Sequence, residues 1–435
     1  MKKIDRVPES PKEFVNFIKY SNRKVYIFGA DIAGKILLKL LVEAGLSVEA
    51  YIDNNKNKCG IDIDGVPVLP AIDALKYIDK ESVFLIASTY IADIIRQLED
   101  LGYYKWCPIV KFIKQHESVY YNNILVGDLR RNHSGGEFTA DFDIFVLENM
   151  INSQQKYLNE KILFIRSVDL IITEKCSLKC VDCSNLMQYY ENPVDITYEE
   201  LCNDLDDLCE IADEINEIRI IGGDPLMNRD FHKIISYAAS KNKVNKVVVY
   251  TNGTICPSVE KIIAIANPKV FVFITTYGNL SKKTDPLKAL LTKFGIPFNC
   301  QPAYGWTDCA SIEDQRRNED NLSETFKNCC AKHFTTITMG RLFRCPFSAN
   351  VERLSAIPDT PGDFIEIRGY ANLNDQEKDS RKRLLWNFLR NKAYIGACNF
   401  CKGRTYGDPE ITPGIQTKTV IQYHKYTRSK ADVVL

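Results

Sequence analysis

From Ile162 onward, short β-rich apolar runs alternate with amphipathic helical stretches, and this repeat restricts the fold more than any other feature. VDLIIT (168–173) and IRIIGG (218–223) read as strands, with the acidic helix ITYEELCNDLDDLCEIADEI between them. KVVVYTNG (246–253) and VFVFITTYG (270–278) follow, then the helix DPLKALLTKFG and the strand PFNCQPA. Strands joined through helices run parallel, because a tight turn cannot connect them. The expected fold class is therefore α/β, with a partial (β/α)6 barrel over residues 162–325. Chemistry in such barrels sits on the loops after the strands.

Cys176-Ser-Leu-Lys-Cys180-Val-Asp-Cys183 directly follows the first of these strands. Three thiolates at this C-x3-C-x2-C spacing can hold three irons of a cubane, leaving the fourth iron open to a substrate or cofactor. The alternative is a structural zinc site with a fourth ligand such as His232 or His333. Fifteen cysteines, an odd number, and the polar start MKKIDRVPESPKEF imply a reducing compartment and a cytoplasmic location. Lys and Arg total 56, as do Asp and Glu, with no polybasic block. That balance predicts neither a nucleic-acid nor a membrane partner.

The triplet resembles the signature of the radical S-adenosylmethionine (SAM) superfamily, over about residues 165–325. The resemblance implies a 4Fe-4S cluster on Cys176, Cys180 and Cys183, with SAM on the open iron. One electron, from an external donor such as flavodoxin or ferredoxin, would cleave SAM to a 5′-deoxyadenosyl radical that abstracts hydrogen from a C–H bond. Gly222-Gly223-Asp224-Pro225-Leu226 resembles the family's G-G-E-P-L turn, whose exposed backbone meets the SAM ammonium, with Asp224 replacing the usual Glu. Tyr250-Thr-Asn252-Gly253 ends the third strand, where the family contacts the SAM carboxylate or ribose. Thr275, Thr276 and Tyr277 end the fourth, near ribose and adenine. Asp182 stands where many members carry an aromatic.

A second set lies downstream. Cys330 and Cys345 bracket Gly340 as C-x9-G-x4-C, followed by Cys398-Asn-Phe-Cys401. ITMGRLFRC reads as a hairpin turning at Met339-Gly340, which returns Cys345 to Cys330; Cys329 is the competing ligand. Four thiolates close either a complete cluster or a zinc ribbon. The layout resembles the twitch domain, the shorter relative of SPASM, and implies a second, auxiliary 4Fe-4S cluster in a small α+β domain over 326–410, with a tail at 411–435. It is similar to an aminocyclitol dehydrogenase of aminoglycoside biosynthesis. There an auxiliary cluster suits removal of the electron left when a carbinol carbon loses hydrogen. Cys300 or Cys309 would instead return a hydrogen atom, giving epimerisation. Asp308 or His333 would take a hydroxyl proton, and Gln301, Tyr304, Trp306 and Asp308 would line a sugar pocket.

Residues 1–115 read as a Rossmann-like domain: the strand Lys24–Phe28, a Gly29-Ala-Asp-Ile-Ala-Gly34 turn, and a second strand ending at Asp53, the ribose-binding position. Asp31 in place of the middle glycine would crowd a pyrophosphate. Phe28-Gly-Ala-Asp31, Tyr51-Ile-Asp-Asn-Asn55 and the hairpin Gly60–Val68 resemble Rossmann-like domains of bacterial sugar-modifying proteins. Residues 116–161 read as a connector. Three functions are expected to compete. The first is a dehydrogenase or epimerase acting on a sugar, nucleotide-sugar or aminocyclitol. The others are a peptide-modifying radical SAM enzyme and a non-catalytic metal-binding nucleotide sensor.

Overall fold

The computed structural model describes residues 7–115, 137–138, 140–157, 159, 161–405 and 407–427. These divide into two compact units, one up to residue 115 together with the helix Ala140–Tyr157, the other from residue 162 on. Both are mixed α/β units built on parallel strands.

The first unit has six strands: β1 (Val25–Phe28), β2 (Ala50–Asp53), β3 (Asp62–Ile63), β4 (Val66–Pro70), β5 (Val83–Ile86) and β6 (Trp106–Pro108). They lie in the order β3-β4-β2-β1-β5-β6, with every pair parallel except the β3–β4 hairpin. β1 is apolar at every position because both faces are covered. Val25 and Ile27 join one core with the helix Ile32–Glu43, and Tyr26 and Phe28 join another with the helix Ile91–Asp100. The stretch expected as a connector is in part a member of this unit. Leu147, Met150 and Ile151 enter its core, and Gln154 accepts from Ile109 N at 3.0 Å and donates to Ile86 O at 2.6 Å. Residues 116–136 of that stretch lie outside the described residues.

The glycine turn of this unit is committed to its own packing. A Cβ on Gly29 (φ 118°) would lie 2.5 Å from Ala87 O, so close approach of β5 requires the glycine. Asp31 caps the following helix, accepting from Ile32 N at 2.8 Å, and pairs with Lys58 at 3.1 Å. Asp53 accepts from Ala30 N at 2.9 Å and Asn55 N at 2.8 Å. Backbone donors thus take up the carboxylate expected to bind a ribose.

The second unit contains β7 (Phe164–Thr173), β8 (Glu214–Gly222), β9 (Val244–Thr251), β10 (Val270–Thr276), β11 (Phe298–Pro302), β12 (Thr335–Thr338), β13 (Arg341–Phe343) and β14 (Phe364–Glu366). In a nine-stranded sheet their order is β14-β13-β12-β7-β8-β9-β10-β11, with the two-residue strand Glu137–Phe138 beyond β11; β12 through β11 are parallel and β13 and β14 antiparallel. The sixth parallel strand joins beside the first, not beside the fifth. Met339 (φ 57°) and Gly340 (φ 72°) make the predicted hairpin turn, both left-handed as a tight two-residue connection demands. The expected boundary at residue 325 falls inside this compact unit, since β12 is hydrogen-bonded to β7.

Helices Tyr198–Ile211, Phe231–Ser240, Val259–Ile265 and Thr284–Lys293 cover one face, on which Leu170, Ile220, Val249 and Val272 pack. Thr197 caps the first of these, accepting from Glu200 N at 3.2 Å. The opposite face carries Asp169 paired with Arg219 at 3.2 Å, the guanidinium lying 4.6 Å from the Tyr250 ring centre. Among the described residues no helix is long and apolar enough to cross a membrane.

Candidate functional site

β7 runs into the Cys176–Cys183 loop, and β8 ends against the start of that loop. A Cβ on Gly222 (φ 140°) would lie 2.1 Å from Thr173 O, and one on Gly223 2.1 Å from Lys175 O. Only glycines permit this approach. Gly223 N then donates to Thr173 O at 2.9 Å and Asp224 N to Lys175 O at 2.8 Å, which stitches the turn to the loop.

Cys176, Cys180 and Cys183 are electrostatic neighbours of one another, and Tyr277 feels all three. Burial, reinforced by Cys183, pushes the Cys180 thiol up to about 11; burial likewise raises Cys176 and Cys183. N–H groups nonetheless converge on the sulfurs. Asn252 Nδ2 lies 3.6 Å from Cys176 Sγ, Gln416 Nε2 lies 3.2 Å from Cys180 Sγ, and backbone N–H groups of Met187 and Asn185 serve Cys183. Donors aimed at sulfur favour thiolates, and buried thiolates need a positive partner. The residues therefore fit an iron cluster.

Among the described residues, no three His, Cys, Asp or Glu side chains converge as ligands of a single ion would. Zinc requires its sulfurs about 2.3 Å from one centre, whereas a cubane gives each thiolate its own iron. His232 lies on the helix Phe231–Ser240, its ring edge-on to Phe231.

Asp224 turns inward instead of presenting its carboxylate to a ligand. It is 1% exposed and accepts from Leu226 N at 3.0 Å, Thr251 Oγ1 at 2.9 Å and Asn252 N at 2.9 Å. Burial raises its pKa, and these donors oppose the shift. Pro225 opens the short turn that Asp224 caps. Asn252 bridges to Ser177 Oγ at 3.1 Å, and its backbone oxygen accepts from Ser281 Oγ at 2.6 Å. Ser281 Oγ also accepts from Tyr277 N at 2.8 Å. The Tyr277 phenol is pushed up by burial and the surrounding sulfurs, and its ring meets Trp306 edge-on at 5.9 Å. Thr275 is half-buried in register with Gln301, and half-buried Asp182 adds negative charge beside Cys180.

A second group of thiols comprises Cys329, Cys345, Cys398 and Cys401. Cys329 acts on each of the other three. The ligand expected from spacing, Cys330, instead neighbours Arg404, Cys329 and Cys309. The difference arises locally: Cys329 ends the helix Glu319–Asn328 with an extended backbone, and Cys330 begins the turn that follows. Backbone N–H groups of Ala331, Ser348 and Gly403 each lie 3.4 Å from a sulfur, of Cys329, Cys345 and Cys401 respectively. Cys345 also caps the helix Pro346–Leu354, a position that favours thiolate. Arg317 braces the Cys398–Cys401 loop through the carbonyls of Cys398 and Cys401 (2.6 Å to the latter), and Asp363 accepts from Ala397 N at 2.7 Å. Neither brace carries a spacing signal in the sequence.

The four expected catalytic side chains scatter. Cys300 packs in the core under the helices, because strand alternation puts Asn299 and Gln301 on the other face. His333 precedes β12, and its carbonyl accepts from Arg166 at 3.2 Å near the start of β7, the far end from the cysteine loop. Asp308 pairs with Lys402 at 2.7 Å and is half exposed. Cys309 is buried beside Cys183, Cys330 and Cys401, between the two thiol sets. Part of the expected tail crosses the site. Val181 N donates to Ile415 O at 2.8 Å and Thr417 N to Lys179 O at 2.7 Å.

Residues 170–277 match the Radical SAM superfamily model, so the chain carries a domain of that superfamily. It is similar to GTP 3',8-cyclase of Clostridium acetobutylicum, 27% identical over 143 residues, covering 29% of this chain and 44% of the relative. GTP 3',8-cyclase of Syntrophomonas wolfei is 29% identical over 171 residues, covering 34% and 50%. The chain thus spans about half the length of the curated relatives it matches. Among solved structures, BtrN in complex with AdoMet and 2-DOIA aligns with TM-score 0.36 and 12% identity, over 60% of this chain and 98% of that one.

Proposed function

We propose, from the Radical SAM superfamily domain at residues 170–277, that this protein is a radical SAM oxidoreductase that dehydrogenates a carbinol carbon of a sugar, nucleotide-sugar or aminocyclitol. The observation that carries the reading is the pairing, in one compact unit, of a three-thiol loop with a separate four-thiol group. When bound, the three-thiolate cluster with SAM supplies a 5′-deoxyadenosyl radical for C–H abstraction, and the four-thiolate cluster supplies a one-electron acceptor. In this reading the parallel sheet is the partial (β/α)6 barrel and residues 326–410 are the twitch domain.

Cys176, Cys180 and Cys183 hold the first group, and Cys329, Cys345, Cys398 and Cys401 the second. The Gly222-Gly223 backbone and Asn252 would flank SAM beside the three thiols. Tyr277 and Trp306 offer flat aromatic surface next to the thiols, suited to a pyranose or cyclitol face and to excluding water. Asp308, held by Lys402, presents a carboxylate for a substrate hydroxyl. The burial of Cys300 under the helices weighs against epimerisation through that thiol.

Anaerobic reconstitution with iron, sulfide, SAM and dithionite tests the reading. It should give 5′-deoxyadenosine and about eight irons per chain. One zinc per chain with no SAM cleavage would end it. Product analysis on nucleotide-sugars and cyclitols against candidate peptides fixes the substrate class, and turnover of peptides alone would overturn the carbohydrate assignment.

A further inference from the structure

Residues 410–426 cross the three-thiol loop as an extended strap. Glu410 bridges to Thr307 and Gln416 to Cys180, both antiparallel. Beyond the loop, Ile421 N donates to Gln188 O at 3.0 Å and Tyr426 N to Ser355 O at 2.8 Å. Burial contributes little at the crossing: Ile415 is 53% exposed. The strap is held there by backbone hydrogen bonds and by one carboxamide.

That carboxamide belongs to Gln416. Its Oε1 accepts from Lys179 N at 2.7 Å, and its Nε2 donates to Gly414 O at 2.7 Å and to Cys180 Sγ at 3.2 Å. The orientation is determined by these partners: a flipped amide would set N–H against the Lys179 N–H and carbonyl against the Gly414 carbonyl. The donor therefore points at the sulfur.

We infer that Gln416 is a positioning residue of the iron–sulfur site, holding the Cys180 thiolate through an N–H···S bond and raising the reduction potential of the cluster bound there. The inference rests on reading Cys176, Cys180 and Cys183 as cluster ligands. Reduction adds negative charge that the ligand sulfurs share, so a fixed donor stabilises the reduced state more than the oxidised one. Losing it shifts the oxidised-to-reduced ratio about tenfold toward oxidised at a given potential, a midpoint lower by about 59 mV.

The experiment is a redox titration of the reconstituted full-length enzyme, followed by low-temperature paramagnetic resonance, with iron content measured in parallel. Gln416→Leu removes the donor. Gln416→Glu keeps an acceptor for Lys179 N but sets a carboxylate against the sulfur. Both should lower the midpoint of the cluster whose signal responds to SAM, leaving iron content and the other cluster unchanged. An unchanged midpoint in Gln416→Glu at full iron content would overturn the inference. Should Gln416→Leu release the strap, seen as faster hydrogen exchange at Thr417, the Glu variant decides alone. A wild type that takes up no iron on the three thiols defeats the proposed function itself, a result distinct from either.

Discussion

Replacing Asp224 separates a positioning carboxylate from a ligand-contacting one. In Asp224→Ala the N–H groups of Leu226 and Asn252 and the Thr251 hydroxyl lose their acceptor in a region 1% exposed at residue 224. An orphaned buried donor costs about 1–3 kcal/mol, so the two N–H groups together cost about 2–6 kcal/mol. Removing a buried carboxylate returns part of that, leaving a net loss of about 2–4 kcal/mol. Against a total stability of about 5–15 kcal/mol this is large. Asp224→Asn retains one acceptor oxygen and should lose about half as much. Asp224→Glu is the discriminating variant. If residue 224 met SAM directly, the longer acid would serve as well or better. In the inward site an added methylene overpacks, costing about 1–3 kcal/mol and displacing Asn252. Urea unfolding gives the stabilities, and equilibrium dialysis of SAM against the reconstituted enzyme gives the affinities. Stability in Asp224→Ala within about 0.5 kcal/mol of wild type, or tighter SAM binding by Asp224→Glu, would refute the argument.

Further outcomes follow from the same geometry. Cys329→Ala should cut iron from about eight to about four per chain while Cys330→Ala leaves it near eight; the reverse pattern would restore the ligand expected from spacing. Asp204 is buried on the helix Tyr198–Ile211, and burial, then Glu200, pushes its carboxyl up to about 7 against the Gly340 N–H and Arg368. The folded state therefore keeps a proton that the unfolded chain releases from about pH 4, so this group's contribution to stability falls as pH rises from about 4 to 7 and is level above. Asp204→Asn should flatten that dependence, gaining about 2 kcal/mol more at pH 8 than at pH 5.5, measured by urea unfolding at the two pH values. An equal effect at both would show that the carboxyl titrates normally.

What the sequence made legible and what it hid divide along physical lines. The parallel strands were visible because apolar runs alternate with helical periodicity, and the Met339-Gly340 turn because a tight hairpin selects such residues. The face of Cys300 was also available, since Asn299 and Gln301 flank it with polar side chains at a period of two. The choice between Cys329 and Cys330 was not, because it depends on the chain direction at a helix end that spacing does not record. The strap over residues 410–426 escaped altogether: at the crossing it is held by backbone hydrogen bonds and the Gln416 carboxamide, which leave no pattern in side-chain hydropathy.

The coupling of the two thiol sets has a topological origin. β12 pairs with β7, the strand whose far end opens the Cys176–Cys183 loop, and β13 returns from β12 to place Cys345. Strand register in one sheet thus sets where Cys345 lies relative to the three-thiol loop. Under the proposed function, such spacing would suit electron movement between the two groups and would leave substrate selection to the loops that carry Tyr277, Trp306 and Asp308. The strap bridges to Thr307 and Cys180 and then reaches Ser355, so it spans from those loops to the helix that Cys345 caps.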